Sequence, residues 1–78
     1  MSEQPPLSVR IAVRVRGLAA ERNVTQGQIG ERLGLAQSAI SKRFREVTPW
    51  SLDELERLCE YLDVSFALVI DDVLAAAP

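Results

Sequence analysis

The chain of 78 residues predicts an all-α fold, a five-helix orthogonal bundle. Two signatures of helix N-termini, Thr25 to Gln28 and Ser51 to Glu54, support that prediction, as do a tight turn at Gly34 and apolar residues recurring at helical spacing. The length allows one small domain and no second core. The expected division is a flexible tail over residues 1–7, where Pro5-Pro6 excludes regular structure, and a single folded domain over residues 8–76.

The first element, from Ser8 to Arg22, reads two ways. Val9, Ile11, Val13 and Val15 alternate with Arg10, Ala12, Arg14 and Arg16, the period of a strand. The same segment puts Ile11, Val15, Leu18 and Arg22 on one helical stripe, offers Ser8 as a cap, and ends in the helix-favouring run Leu18-Ala19-Ala20-Glu21-Arg22. Helix is the preferred reading, with a strand over 9–15 as the open alternative. Asn23 stands where a left-handed helix stop is expected. A second helix then starts at Thr25 as N-cap, with Gln28 completing a capping box and Val24 and Ile29 placed to form a hydrophobic staple. It runs through Leu33 and stops at Gly34, which tolerates positive φ. A third helix follows from about Gln37 to Arg45, with Ile40 and Phe44 on one face.

Thr48-Pro49 breaks the chain. Ser51 caps the fourth helix, Glu54 closes its box and Trp50 staples Leu55; the stripe is Leu52, Leu55, Leu58, Cys59 and Leu62. The fifth helix, Phe66–Ala76, carries Phe66, Val69, Ile70, Val73 and Leu74 at helical spacing, although Phe66–Ile70 is also compatible with a strand.

Composition excludes several classes of function. The lone Cys59 cannot make an internal disulfide, and the absence of histidine excludes a His-based zinc site or triad. No P-loop and no nucleophile–base constellation is present, so no enzyme, cofactor or metal is expected. The N-terminus lacks a signal-peptide run, and Val64–Ile70 is too short to span a bilayer; a cytoplasmic protein without membrane or small-molecule ligand is expected. Net charge is −2 but unevenly divided: residues 1–46 hold eight basic and four acidic residues, residues 47–78 only Arg57 against seven acids. Such a division suits a basic face for a polyanion and an acidic rear, or chance clustering of solvated charges.

The informative stretch is Gln26–Phe44. Gly30 is small where two steeply crossing helices approach, Leu35 fills the space beneath the Gly34 turn, and Ile29, Leu33 and Ile40 share a core. Gln37, Ser38, Ser41, Lys42 and Arg45 are left facing outward. Gln matches adenine in the major groove, Ser pairs with several base edges, and Lys or Arg favours guanine or phosphate.

On these residues the sequence resembles the Cro/C1-type helix-turn-helix family of phage repressors and related bacterial regulators, over roughly residues 8–74 and most strongly from Val24 to Phe44. The resemblance implies a phage-repressor-like bundle with a central helix-turn-helix. By resemblance, Gln26 binds a phosphate and buttresses Gln37; Gln37 and Ser38 read base edges; Ser41 and Lys42 reach bases or phosphates; Arg43 and Arg45 grip the backbone. Three positions depart from the family pattern. Arg43 replaces an apolar residue, Ala36 stands where a Ser or Thr cap is common, and Glu46 stands where Gly is frequent.

The expected function is a sequence-specific regulator of double-stranded DNA, a repressor acting by operator occlusion. Useful specificity calls for a homodimer on half-sites about 34 Å apart. Phe66, Leu68, Val69, Ile70, Val73 and Leu74 exceed what one face can bury and are the expected dimer interface. The alternative is a protein-interaction module such as an antitoxin, holding its partner through that apolar C-terminal helix.

Overall fold

A computed structural model describes residues 4–75, and within them five helices and no strand. These are α1 (Leu7–Glu21), α2 (Gln26–Leu33), α3 (Gln37–Phe44), α4 (Leu52–Tyr61) and α5 (Phe66–Ala75). They form the five-helix orthogonal bundle that the sequence predicts. In it α2 lies against α3 and α4, α1 against α3 and α5, and α4 against α5. Val15, Ile29, Ile40 and Leu58, from four different helices, are the most completely buried large side chains and mark the centre of the core.

The ambiguous first segment is helical throughout. Burial of Ile11, Ala12, Val15, Leu18 and Ala19 follows the 3.6-residue period, and Val13, which a strand would have placed with Ile11 and Val15, is 53% exposed. The expected cap is displaced: Pro6, not Ser8, holds the N-cap position, its carbonyl accepting from the Val9 and Arg10 N–H groups at 3.0 and 3.1 Å. The helix therefore begins one residue inside the expected tail, whose residues 1–3 lie outside the described ones. Arg22, assigned to the α1 stripe, lies just past the helix and turns to α4, donating from Nε to the Leu62 carbonyl at 2.8 Å.

Both capping boxes form. Thr25 Oγ1 accepts from the Gln28 N–H at 3.1 Å while Gln28 Oε1 accepts from the Thr25 N–H at 2.8 Å. Ser51 and Glu54 repeat the exchange at 3.1 and 3.0 Å. Each box satisfies donors that a helix N-terminus otherwise leaves bare. Trp50 and Leu55 are buried beside the second box, whereas Leu52 is 71% exposed and does not join the stripe assigned to it. As the first residue of α4, it precedes the turn whose inward side Leu55 occupies.

Three helices end alike. After α1, α3 and α4 the residues Asn23, Glu46 and Asp63 adopt φ of 55°, 65° and 59°. The next N–H in each case closes back on the helix: Val24 to Ala19, Val47 to Lys42 and Val64 to Cys59, at 2.8 to 2.9 Å. This is the Schellman arrangement, usually built on glycine and here built on none. α3 ends at Phe44, with Arg45 as its C-cap rather than its last helical residue. Residues 66–70 are helical, and Ala76, expected to end α5, lies outside the described residues.

Candidate nucleic-acid interface

The geometry of the α2–α3 pair is set by two glycines. Gly34 takes φ 73° and ends α2, and the Leu35 N–H returns to the Gly30 carbonyl at 2.8 Å. Gly30 is buried where the chain folds back: a β-carbon there would lie 2.7 Å from the Leu35 carbonyl oxygen and 3.4 Å from Ile40 Cγ1. The requirement for a small residue at position 30 is thus a property of the turn backbone as well as of the crossing.

α3 then presents two unlike faces. Ile40 is fully buried and Phe44 half-buried, packed edge-on to the Trp50 ring with centroids 6.1 Å apart. Gln37, Ser38, Lys42 and Arg45 are exposed and Ser41 is half-exposed, a spacing that places all five on one side of the helix. Ala36 caps α3 with extended backbone but no side-chain hydrogen bond. The Gln37 amide lies over the start of α2, with its Oε1 3.5 Å from where a Gly27 β-carbon would stand. Gln26 is half-buried at the first position of α2, and among the described residues no hydrogen bond joins its amide to that of Gln37.

Arg43 does not share that face. Its Nε and Nη2 donate to Glu54 Oε1 and Oε2 at 2.9 and 3.0 Å, its Nη1 donates to the Ala39 carbonyl at 2.8 Å, and only 14% of the side chain is exposed. The residue expected to grip the backbone thus has a protein acceptor for every nitrogen of its guanidinium. The Arg43 hydrogen bond also holds the Glu54 carboxyl below its ordinary range against the opposing effect of burial.

Much of the N-terminal basic charge is engaged in the same way. Arg16 of α1 donates to the Phe44 carbonyl at 3.0 Å and pairs with Glu46, closing the C-terminus of α3. Arg14 pairs with Asp72 at 3.2 Å, and Arg10 donates to the Pro5 and Val73 carbonyls at 3.2 and 3.5 Å. From the acidic half, Arg57 donates to the Leu33 and Arg32 carbonyls, closing the C-terminus of α2. Arg32 lies over the Tyr61 ring, 5.1 Å from its centroid. Among the described residues, the Lys42 and Arg45 side chains have no protein partner. Sequence reasoning missed Arg16, Arg57 and Glu54 as determinants of this region; the visible signals were the unusual Arg43 and Glu46.

The expected dimer residues divide. Leu68 and Leu74 are 64% and 51% exposed on α5, and Phe66 and Ile70 are half-buried. Val69 and Val73 are 4% and 5% exposed and belong to the chain's own core, which leaves them almost no surface for the dimer contact expected of them. Cys59 is buried too, and burial pushes its thiol up, as fits a core residue.

Two short helices joined across a left-handed glycine, with a polar and cationic face turned outward from the second, define a helix-turn-helix module. The family profile described as helix-turn-helix matches residues 15–69, and the chain belongs to that family, in its Cro/C1-type branch: it is a DNA-binding transcriptional regulator, not an enzyme. Its fold is similar to that of the clp gene regulator ClgR from Corynebacterium glutamicum, at TM-score 0.83 and 21% identity over 96% of this chain and 97% of that one. It is also similar to the restriction-modification controller protein C.Esp1396I, at TM-score 0.76 and 18% identity over 96% of this chain and all of the other. No curated protein matches the sequence. No helix among the described residues is long and apolar enough to cross a membrane.

Proposed function

We propose that the chain is a sequence-specific repressor that occupies an operator as a homodimer and excludes other proteins from it. One observation carries the reading: Gln37, Ser38, Ser41, Lys42 and Arg45 share the solvent face of α3 while Ile40 and Phe44 anchor the opposite face. In this reading α3 enters the major groove, Gln37 and Ser38 meet base edges, and Ser41, Lys42 and Arg45 reach bases or phosphates. Gln26, at the first turn of α2, meets a phosphate where the N–H groups of that turn point outward. Such a module reads few base pairs, so two copies are required for useful specificity. Leu68 and Leu74 are the apolar side chains α5 leaves uncovered for a second copy, with Phe66 and Ile70 at their margin. Two structurally similar proteins are named as a gene regulator and a controller protein, which agrees with this role.

Selection of duplexes from a random library by the purified protein tests the reading. Recovery of an inverted repeat with half-sites one helical turn apart is the expected outcome. A single unpaired motif would remove the dimer, and recovery of no motif would overturn sequence-specific binding and direct attention to a protein partner for α5.

A further inference from the structure

The Arg43–Glu54 pair joins the last turn of α3 to the first turn of α4. Glu54 Oε1 accepts at once from the Ser51 N–H at 3.0 Å, as part of the α4 capping box, and from Arg43 Nε at 2.9 Å. The same guanidinium sits 5.9 Å from the centroid of the Trp50 ring and donates one turn back along its own helix to Ala39. The N-terminus of α4 and the last turn of α3 are thus locked by a planar fork with one preferred geometry. Both partners are largely covered, at 14% and 19% side-chain exposure, so removing one leaves the other poorly solvated.

We propose that Arg43 is a positioning residue for DNA reading: through Glu54 it fixes the angle of α3 on α4, and with it the placement of Gln37, Ser38 and Lys42, without touching DNA. This rests on the reading that α3 reads bases in the major groove. A brace and a phosphate contact differ in what they do to salt dependence. A phosphate contact releases counterions, about 0.9 unit of slope in log affinity against log salt for each phosphate neutralised. A brace releases none. The two roles also give Glu54 opposite signs. If Arg43 were a phosphate ligand held back by Glu54, neutralising Glu54 would free it and tighten binding. If Arg43 acts through Glu54, neutralising Glu54 loosens binding, and removing both partners does little more than removing one.

The test compares wild type, Arg43→Gln, Glu54→Gln and the double variant on a library-selected duplex and on a scrambled duplex across a salt series. Glutamine at position 54 keeps the capping box, as Gln28 does in α2, so this variant retains the α4 start. The expected result is about a tenfold loss on the selected duplex for each single variant, a double variant within about threefold of either, and little change on the scrambled duplex. The slope for Arg43→Gln stays within about half a unit of wild type. A slope flattened by about one unit in Arg43→Gln, or tighter binding by Glu54→Gln, would overturn the brace while leaving α3 as the reader. Equal binding of both duplexes by wild type would overturn the base-reading face itself and the brace with it.

Discussion

Arg16 of α1 donates to the Phe44 carbonyl oxygen at 3.0 Å, so the negative end of α3 meets a cation supplied by a different helix. Arg57 does the same for α2 at Leu33, and Arg22 meets the Leu62 carbonyl past the end of α4. Most of the arginines that make the N-terminal half basic are therefore internal fasteners. The cations left for a phosphate backbone on the α3 face are Lys42 and Arg45. Affinity for DNA should accordingly fall with salt at a slope of about −2 per protomer. Titration by fluorescence anisotropy over a salt series measures it, and a slope beyond about −5 per protomer would mean that the internal arginines release their partners on binding.

Asp63 and Glu46 hold left-handed backbone at two Schellman ends, a conformation that costs an ordinary residue roughly 1–2 kcal/mol. They differ in compensation. Glu46 pairs with Arg16, and Asp63 has no ion pair among the described residues. Asp63→Gly should therefore stabilise the domain by about 1 kcal/mol, raising Tm by about 4–8 °C. Glu46→Gly should give a smaller gain, because relief of the backbone is offset by the lost pair. Thermal unfolding of the two variants side by side checks the order, and a larger gain from Glu46→Gly would reject it.

These residues show how much of the fold was legible. The capping boxes could be read because their partners stand three positions apart in the chain. The helix ends could be read in part: Asn23 is a familiar stop, and Glu46 was visible only as a departure from glycine. The fasteners could not be read, since Arg10 to Val73, Arg14 to Asp72 and Arg22 to Leu62 join residues 63, 58 and 40 positions apart. For the same reason the polar face of α3 was legible from its spacing, which leaves Arg43 out, while the partner that holds Arg43 depended on where α4 lies. Ser8 lost its capping role for a local reason, because Pro6 starts the helix two residues earlier.

Gly30 admits no branched side chain. A β-carbon there would meet the Leu35 carbonyl oxygen at 2.7 Å, so Gly30→Val forces backbone movement in the turn that aims α3. The expected loss is about 1–3 kcal/mol in urea unfolding, accompanied by loss of DNA binding at temperatures where the variant is still folded. Wild-type stability would show that the turn yields freely.

Acid should weaken the α3–α4 junction. The Arg43 hydrogen bond, helped by the Ser51 contacts, lowers the Glu54 pKa from its ordinary value of 4.5. A carboxyl lowered on folding adds stability above its unfolded pKa and loses it as pH falls through the folded one. The stability difference between wild type and Glu54→Gln should therefore be full at neutral pH and shrink as pH drops below about 4.5. Urea titrations of both proteins at stepped pH measure it, and a difference that stays constant into acid would exclude this contribution.

The chain has a single tryptophan, and it lies against α3. Trp50 is 7% exposed, meets Phe44 edge-on, has the Arg43 cation near its ring, and its indole N–H has no hydrogen-bond partner among the described residues. An indole so placed should emit at short wavelength, and its emission maximum should shift with the position of that cation. Any rotation of α3 against α4 on meeting DNA thus becomes an optical signal that needs no label, recorded from the native chain in real time.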